Sequence, residues 1–324
     1  MPVQVGNGPY SLAGVGDPSV CVFGASPLLT ITIEADAQGC PEVHVHAGGQ
    51  GFWVARMVAE LGVRVRLCGA FGGETGRFLP DMMREVGIDV LAAERAGANG
   101  AYLQDRRDGQ RQQIVEAPAT PLSRHDLDNL YSLTLAEAMD SDVVVLSGTR
   151  SAEEMPAETY SRLASDAGRL GALVVGDLSG EPLQEAVDGG LTVLKASHED
   201  LVSDGEAASE ALPDLVETAR RFARRGVRCM VISRADEPTL ALLDGRLIQA
   251  EAPSLNAVEH RGAGDSMTAA IAAALARKAP FEQAIRLGVA AGAANVTRRG
   301  LATGHRQVIE QLAARVELRE VEEM

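Results

Sequence analysis

Positive charge, paired cysteines and long apolar runs are all scarce in this chain of 324 residues. Its 30 Lys and Arg stand against 45 Asp and Glu, a net charge of −15 at pH 7. A nucleic-acid backbone needs a cationic face, so this balance disfavours DNA or RNA as a partner; a small phosphate needs only one or two placed amides or cations. There is no unbroken apolar stretch of the ~20 residues that a bilayer span requires. The first residues, MPVQVGNGPYSLAG, lack the basic-then-apolar pattern of a signal peptide, so the expected location is the cytoplasm. Cys21, Cys40, Cys68 and Cys229 form no CxxC pair, which points to reduced thiols rather than disulfides or a zinc site. No repeat or low-complexity linker is visible.

What is present is a globular composition, 46% hydrophobic and 23% charged, with a regular alternation of elements. Ser19–Gly24, Val63–Ala70, Asp142–Ser147, Ala172–Leu178 and Val227–Ser233 read as strands, most of them too apolar to have a solvated face. Between them Gly51–Leu61, Gly76–Val86, Glu158–Leu170 and Leu212–Arg225 read as helices, several closed by a glycine. Strand, helix, glycine, strand predicts an α/β fold with a doubly wound, mostly parallel sheet. Thr30–Ala47 and Gly100–Val115 alternate like hairpins instead and predict a small antiparallel flap over one edge. Residues 1–18 read as a loose tail, and 19–324 as one domain carrying lid segments at about 30–47 and 100–115.

Three glycine-dense stretches stand out. HRGAGDSMTAAIAAALAR (His260–Arg277) sets Asp265 between a tight turn and a run of helix formers. The first amides of such a helix, with its macrodipole, favour an anion close to the backbone. Taken alone, a Gly-x-Gly-Asp is more often a helix cap than a catalyst. AGGQGFWVARMVAELG (Ala47–Gly62) and CGAFGGETG (Cys68–Gly76) are two further glycine turns next to strands. In a doubly wound sheet, loops at the carboxyl ends of the strands line the ligand crevice.

Together these stretches resemble the ribokinase-like (PfkB) carbohydrate kinases, in particular the branch of 1-phosphofructokinases, tagatose-6-phosphate kinases and the minor phosphofructokinase. The resemblance runs from about Ser19 to the C-terminal region. Gly48-Gly49 with VAR behind it is similar to the family's first signature, and Gly262-Ala263-Gly264-Asp265-Ser266 to its second. DLSGEPL (Asp177–Leu183) and RLGVAAGAANVTRRG (Arg286–Gly300) also look like that branch. The resemblance implies ATP- and magnesium-dependent phosphoryl transfer to a sugar-type hydroxyl beneath a β-flap lid. Asp265 would take the hydroxyl proton, and the Gly262, Ala263 and Gly264 amides would stabilise charge on the transferring group. Lys195, Ser197, Asp200, Ser233 and Asn295 would hold the nucleotide, Asp200 supporting Mg²⁺ through water. Thr30, Gly48, Gly49, Gln50, Trp53, Asn99 and Gln113 would face the acceptor. Homodimerisation through the flap, common in this family, is also implied.

Several positions depart from the branch. Thr30 of SPLLT stands where these kinases carry a hydroxyl-gripping aspartate, and Gln50 and Trp53 replace the lysine or glycine and the asparagine of the glycine signature. Asn99 and Gln113 fall where basic residues hold a substrate phosphate. KASHED replaces KPNxxE, and SRADEP replaces SxGxxG, with Ala235 and Pro238 at the glycine positions. Arg56 is expected to face away from the crevice, with Arg106, Arg107 and Arg111 at a solvated turn, so the acceptor is expected not to be a fructose phosphate. Three readings follow. The first is an active kinase on a nonstandard sugar or polyol; the second is a phosphosugar kinase of the 1-phosphofructokinase type; the third is a catalytically weak sensor of nucleotide or sugar.

Overall fold

Strands that are apolar on both faces need cover on both, and the main sheet has it. The computed structural model describes residues 17–298 and 301–321, so the expected tail lies outside it except for Asp17 and Pro18. The described residues begin with β1 (Ser19–Gly24), β2 (Leu28–Ala35), β3 (Pro41–Gly48), α1 (Gln50–Glu60) and β4 (Arg64–Phe71). Short helices α2 (Gly73–Gly76) and α3 (Leu79–Arg84) lead to β5 (Asp89–Glu94), β6 (Gly100–Asp105), β7 (Gln112–Ala117) and α4 (Arg124–Ala138). Strands and helices then alternate through β8 (Val143–Ser147), α5 (Glu158–Arg169), β9 (Leu173–Asp177), α6 (Gly180–Gly189), β10 (Val193–Ser197), α7 (His198–Ser203), α8 (Leu212–Arg224) and β11 (Cys229–Arg234). The order closes with β12 (Glu237–Leu243), β13 (Arg246–Glu251), α9 (Ala263–Ala276), α10 (Phe281–Val296), α11 (Arg306–Ala313) and β14 (Glu317–Glu320).

Ten strands form the main sheet in the order β14-β13-β12-β11-β10-β9-β8-β1-β4-β5. From β5 to β11 neighbours run parallel, and β12 to β14 add an antiparallel edge. One core packs α1, α9 and α10 against one face through Val22, Val54, Met57, Ile271 and Val289. The other packs α4, α5, α6 and α8 against the opposite face through Phe23, Leu130, Leu163, Leu183 and Phe222. Cys21, Cys68 and Cys229 are free and buried, and Cys40 is free and exposed.

The two expected hairpins form, β2 with β3 and β6 with β7, and they join into a four-stranded sheet ordered β3-β2-β6-β7. The central β2–β6 pair is parallel, so this small sheet is antiparallel within each hairpin and parallel between them. Strand alternation sorts its faces. Thr30, Thr32 and Glu34 point to one side, while Leu29, Ile31 and Ile33 alternate to the other.

Candidate active site

At the centre of the main sheet β1 pairs with β4 on one side and β8 on the other, so the strand order reverses there. Ligands of open α/β sheets bind beyond the carboxyl ends of the strands at such a point. A cavity of about 920 Å³ opens there, walled by Ser26 after β1, by Gly148, Thr149 and Arg150 after β8, by Gly49 at the N-cap of α1 with Gln50 and Trp53 of that helix, and by Asp265 of α9. Ser147 Oγ ties the two strand ends together, donating to the Phe23 carbonyl at 2.6 Å. Gln50 spans the gap. Its Oε1 accepts from the Gly148 amide at 2.6 Å, which leaves its NH₂ as the end that donates toward Asp265.

Asp265 is the third residue of α9. Gly262, the N-cap, has φ 77, a left-handed backbone that suits glycine, and a Cβ there would press on Leu301. The amides of Ala263, Gly264 and Asp265 that follow belong to the first helical turn, where no preceding carbonyl is available to accept them. At Gly264 a Cβ would collide with Lys195 Nζ, so the missing side chain lets that ammonium approach the turn. Lys195 is 5% exposed and lies 3.4 Å from the Asp177 carboxylate, which also accepts from Thr268 Oγ1 at 2.7 Å. Burial, then repulsion from Asp177, pushes the Asp265 carboxyl up to about 7, while attraction to Lys195 and the Gln50 hydrogen bond hold it from rising further. A half-buried carboxyl poised near neutrality at a cavity wall is suited to accept a proton.

The small sheet forms the facing wall. Thr30, Thr32 and Glu34 of β2, His44 and His46 of β3, and Tyr102 and Gln104 of β6 line the cavity. Trp53 is 8% exposed, edge-on to His46 at 5.4 Å and to Phe52 at 4.7 Å. Burial holds the His46 imidazole below its ordinary value, and the cations of Arg56 and Arg111 add to that effect.

Of the expected acceptor residues, Thr30, Gly49, Gln50 and Trp53 line this cavity; Gly48 ends β3 beside it. Two expectations are corrected. Asn99 is 3% exposed and spent on backbone, its Oδ1 accepting from the Gly72 amide and its Nδ2 donating to the Pro27 and Ala70 carbonyls. Gln113 lies on β7, an edge strand whose residues are all exposed, and does not reach the cavity. The expected directions of three arginines are corrected as well. Arg56, Arg106 and Arg111 all line the cavity, and only Arg107 turns outward, onto Asp105. Arg106 and Arg111 fold back because Glu259, on the loop before α9, draws them in at 2.9 and 4.0 Å.

On the nucleotide side Asp200 lines the cavity, and Ser197 caps α7, accepting from the Asp200 amide at 3.0 Å and donating to its carboxylate at 2.6 Å. Ser233 Oγ donates to the Ala196 carbonyl at 3.4 Å, joining β11 to β10. Ala235 adopts φ 47, so the turn keeps a glycine-type backbone although alanine occupies it. The expected nucleotide contact of Asn295 is corrected. It is fully buried, its Nδ2 donating to the Arg261 carbonyl and its Oδ1 accepting from the Ala302 amide, so it braces the GAGD turn from behind. Among the described residues no group of three metal-ligating side chains converges. Asp200, which lines the same cavity as Gly262 and Asp265, still fits Mg²⁺, which keeps most of its ligands as waters and phosphate oxygens.

Sequence reasoning did not single out His44, His46, Tyr102, Gln104, Arg150 or Arg261. The signal for the strand residues was available: if Thr30 faces the acceptor, alternation brings Thr32 and Glu34 with it, and pairing register then carries across to His44, His46, Tyr102 and Gln104.

The chain is similar to known proteins over most of its length. The chain is 26% identical over 277 residues to the 1-phosphofructokinase of Bacillus subtilis, covering 84% of this chain and 88% of that protein. It is also 26% identical over 278 residues to the ATP-dependent 6-phosphofructokinase isozyme 2 of Escherichia coli, covering 84% and 89%. The crystal structure of E. coli phosphofructokinase-2 in complex with potassium superposes with a TM-score of 0.80 at 23% identity, covering 93% of this chain and 99% of that one. Arabidopsis thaliana ribokinase complexed with ribose and ATP superposes with a TM-score of 0.71 at 20% identity, covering 92% and 99%. Residues 17–307 match the pfkB family carbohydrate kinase profile, and over that span the chain belongs to the family: it is a pfkB family carbohydrate kinase with a ribokinase-like α/β fold.

Proposed function

We propose that the chain transfers the γ-phosphoryl group of ATP to a hydroxyl of a sugar-like acceptor, with Asp265 as general base. The observation that carries this reading is the placement of Asp265 on the cavity wall at the mouth of the amide turn, with its carboxyl pushed up to about 7. The acceptor O–H gives its proton to Asp265 as its oxygen bonds to phosphorus, and the bond from phosphorus to the departing ADP oxygen breaks. The Gly262, Ala263 and Gly264 amides offset charge on the transferring group, and Lys195 behind Gly264 adds a fixed cation. Ser197 orients Asp200, which would hold Mg²⁺ through water, and Ser233 with the Ala235 turn would border the nucleotide. Bound Mg·ATP supplies the phosphoryl group and the metal that neutralises it. Thr30, Gly49, Gln50 and Trp53 position the acceptor, and the small sheet acts as a lid that keeps water from competing. A location in the cytoplasm belongs to the same reading; among the described residues no helix is long and apolar enough to cross a membrane.

The second reading, a phosphosugar acceptor, gains from the arginines that line the cavity and from the names of the relatives. A sensor would have less use for a proton acceptor poised near neutrality. The test is ADP release from Mg·ATP with a panel of sugars, polyols and sugar phosphates. Acceptor-dependent ADP formation is expected; ADP formation that no acceptor stimulates, with nucleotide bound, would leave the sensor reading in its place.

A further inference from the structure

One carboxylate touches both walls of the cavity. Glu259 lies on the loop that leads into α9, three residues before Gly262. Its Oε2 accepts from Arg106 Nη2 at 2.9 Å, and Arg106 belongs to the turn between β6 and β7 at the tip of the small sheet. Its Oε1 accepts from the backbone amide of Arg261 at 3.3 Å. A single side chain therefore joins the lid to the backbone that enters the Gly262 turn, across 153 residues of sequence.

Each end of this bridge is itself held. On the turn side, the Glu259 amide donates to the Val296 carbonyl at 3.1 Å, and the Arg261 carbonyl accepts from Asn295 Nδ2 at 2.8 Å, so α10 supports the backbone on both sides of the contact. On the lid side, the Arg106 amide donates to the Ile33 carbonyl at 2.8 Å, tying the β6–β7 turn to β2. Arg111, at the other end of that turn, reaches the same Glu259 carboxylate at 4.0 Å. The Arg106 and Glu259 side chains are only 13% and 17% exposed, so solvent screens their attraction less than that of a surface pair.

A second tie shows by contrast what is particular to Glu259. Arg150, after β8, donates through Nε to Glu116 of β7 at 2.7 Å and lies over the Tyr102 ring at 5.6 Å. That tie fastens the hairpin to the body without a printed bond to the turn that carries Asp265. Glu259 spends its second oxygen next to Gly262, whose left-handed φ of 77 sets the direction of the amides that follow. If the lid tip lifts, Oε2 loses its cation, the carboxylate is drawn toward water, and the Arg261 amide loses its acceptor.

We infer that Glu259 is a positioning residue that couples the lid to the catalytic turn. With Arg106 docked, it holds Arg261 and Gly262 in the conformation that aims the Ala263 and Gly264 amides and Asp265 into the cavity; with the lid lifted, it lets them relax. The inference rests on the kinase reading and gives that reaction a guard against hydrolysis. The turn is assembled only when the lid excludes water, so the acceptor O–H rather than a water O–H attacks phosphorus as the bond to the ADP oxygen breaks.

The experiment uses the full chain, Glu259→Gln, Arg106→Gln, the double variant and Arg106→Lys. Glutamine at 259 keeps an oxygen for the Arg261 amide and removes the charge that holds Arg106, while Arg106→Lys keeps the cation. Amide exchange is followed first, by mass spectrometry without ligand, in fragments spanning residues 259–268; these include Arg261 and Ser266, whose amide donates to the Gly262 carbonyl at 3.0 Å. Arg106→Gln, a change on the lid, should speed exchange in those fragments about 10-fold, the worth of one hydrogen bond to a charged group. A merely local role for Arg106 would speed exchange in the β6–β7 hairpin alone. The second readout is the ratio of inorganic phosphate to phosphorylated acceptor formed from Mg·ATP with fructose, fructose 1-phosphate, fructose 6-phosphate or glucitol. Each glutamine variant should raise that ratio about 10-fold and lower kcat more than it changes KM, the double variant should add nothing further, and Arg106→Lys should recover part of the loss. Exchange confined to the hairpin, an unchanged ratio in an active enzyme, or single effects that multiply in the double variant each overturn the inference. If Glu259→Gln does not fold, the two Arg106 variants decide by the same readouts. If no acceptor is phosphorylated but Arg106→Gln still loosens residues 259–268, the bridge stands and the kinase reading falls.

Discussion

The Lys195 ammonium lies 3.4 Å from the Asp177 carboxylate, and both are buried beneath the turn that carries Asp265. The pair brings one cation and one anion to the edge of the site, so the carboxyl of Asp265 is set by a balance rather than by a single neighbour. Removing either member should tip that balance in opposite directions. Lys195→Met leaves Asp177 uncompensated, so the pH at which kcat/KM reaches half its maximum should move above that of the wild type. Asp177→Asn leaves the ammonium unopposed and should move it below. Each variant also breaks a buried pair, at a cost of about 3–5 kcal/mol seen in denaturant unfolding. Equal displacement of both profiles in one direction would show that the pair does not act on Asp265 by charge.

Asp265→Asn should retain nucleotide binding and lose turnover by about 10²–10⁴, the usual worth of a positioned base. A base works ionised, so the wild-type kcat/KM should climb as pH rises through about 7. Stability should run the other way. A carboxyl raised in the fold above its ordinary value of 3.8 binds its proton more tightly folded than unfolded, so its contribution is complete at low pH and is lost as pH rises toward about 7. The asparagine variant lacks that proton, so its melting temperature relative to wild type should be higher at pH 8 than at pH 5. A kcat/KM profile flat from pH 5 to 8 in the wild type would remove Asp265 from the rate.

Ala235→Gly tests the nucleotide side. The alanine holds φ 47 at the β11–β12 turn, where an L side chain costs about 1 kcal/mol that glycine avoids. The variant should melt higher and bind Mg·ATP at least as well as the wild type by calorimetry. Weaker nucleotide binding would mean that the alanine methyl contributes a contact of its own.

How far the sequence could be read varies by kind of feature. Ser19–Gly24 is legible to the residue because five apolar or small side chains follow one another and a glycine ends them. The GAGD turn is legible because its meaning is local, in one backbone twist and one helix terminus. Helices α2, α4, α6, α7, α10 and α11 and strands β5, β10, β12, β13 and β14 escaped, several being short or mixed in composition, with their partners far along the chain. The arginines misled for the same reason. Nothing near Arg106 or Arg111 in sequence indicates that Glu259, about 150 residues on, will draw them inward. Asn99 and Asn295 look like ligand amides from sequence and serve as backbone partners in the fold, because a buried amide is satisfied by whichever carbonyls the topology brings.

The outer face of the small sheet bears on assembly. The register sets Val45 opposite Ile31, Ile31 opposite Leu103, and Leu103 opposite Val115, an apolar row across all four strands on the side away from the cavity. Val45 is 49% and Val115 52% exposed, and Val43 continues the patch at 62%. Contiguous apolar surface of this kind usually marks an interface, and a four-stranded sheet with one bare face gains most by packing on its own copy. A homodimer is therefore expected, with twice the 34.0 kDa chain mass by light scattering. Val45→Glu with Val115→Glu sets carboxylates in the middle of that contact, where burial without partners is costly, and should raise the dissociation constant by at least about 10²-fold. Both positions point away from the cavity, so the main-sheet fold, read by far-UV circular dichroism, should be unchanged. A wild type that scatters as a monomer, or a double variant that remains a dimer, would place the interface elsewhere.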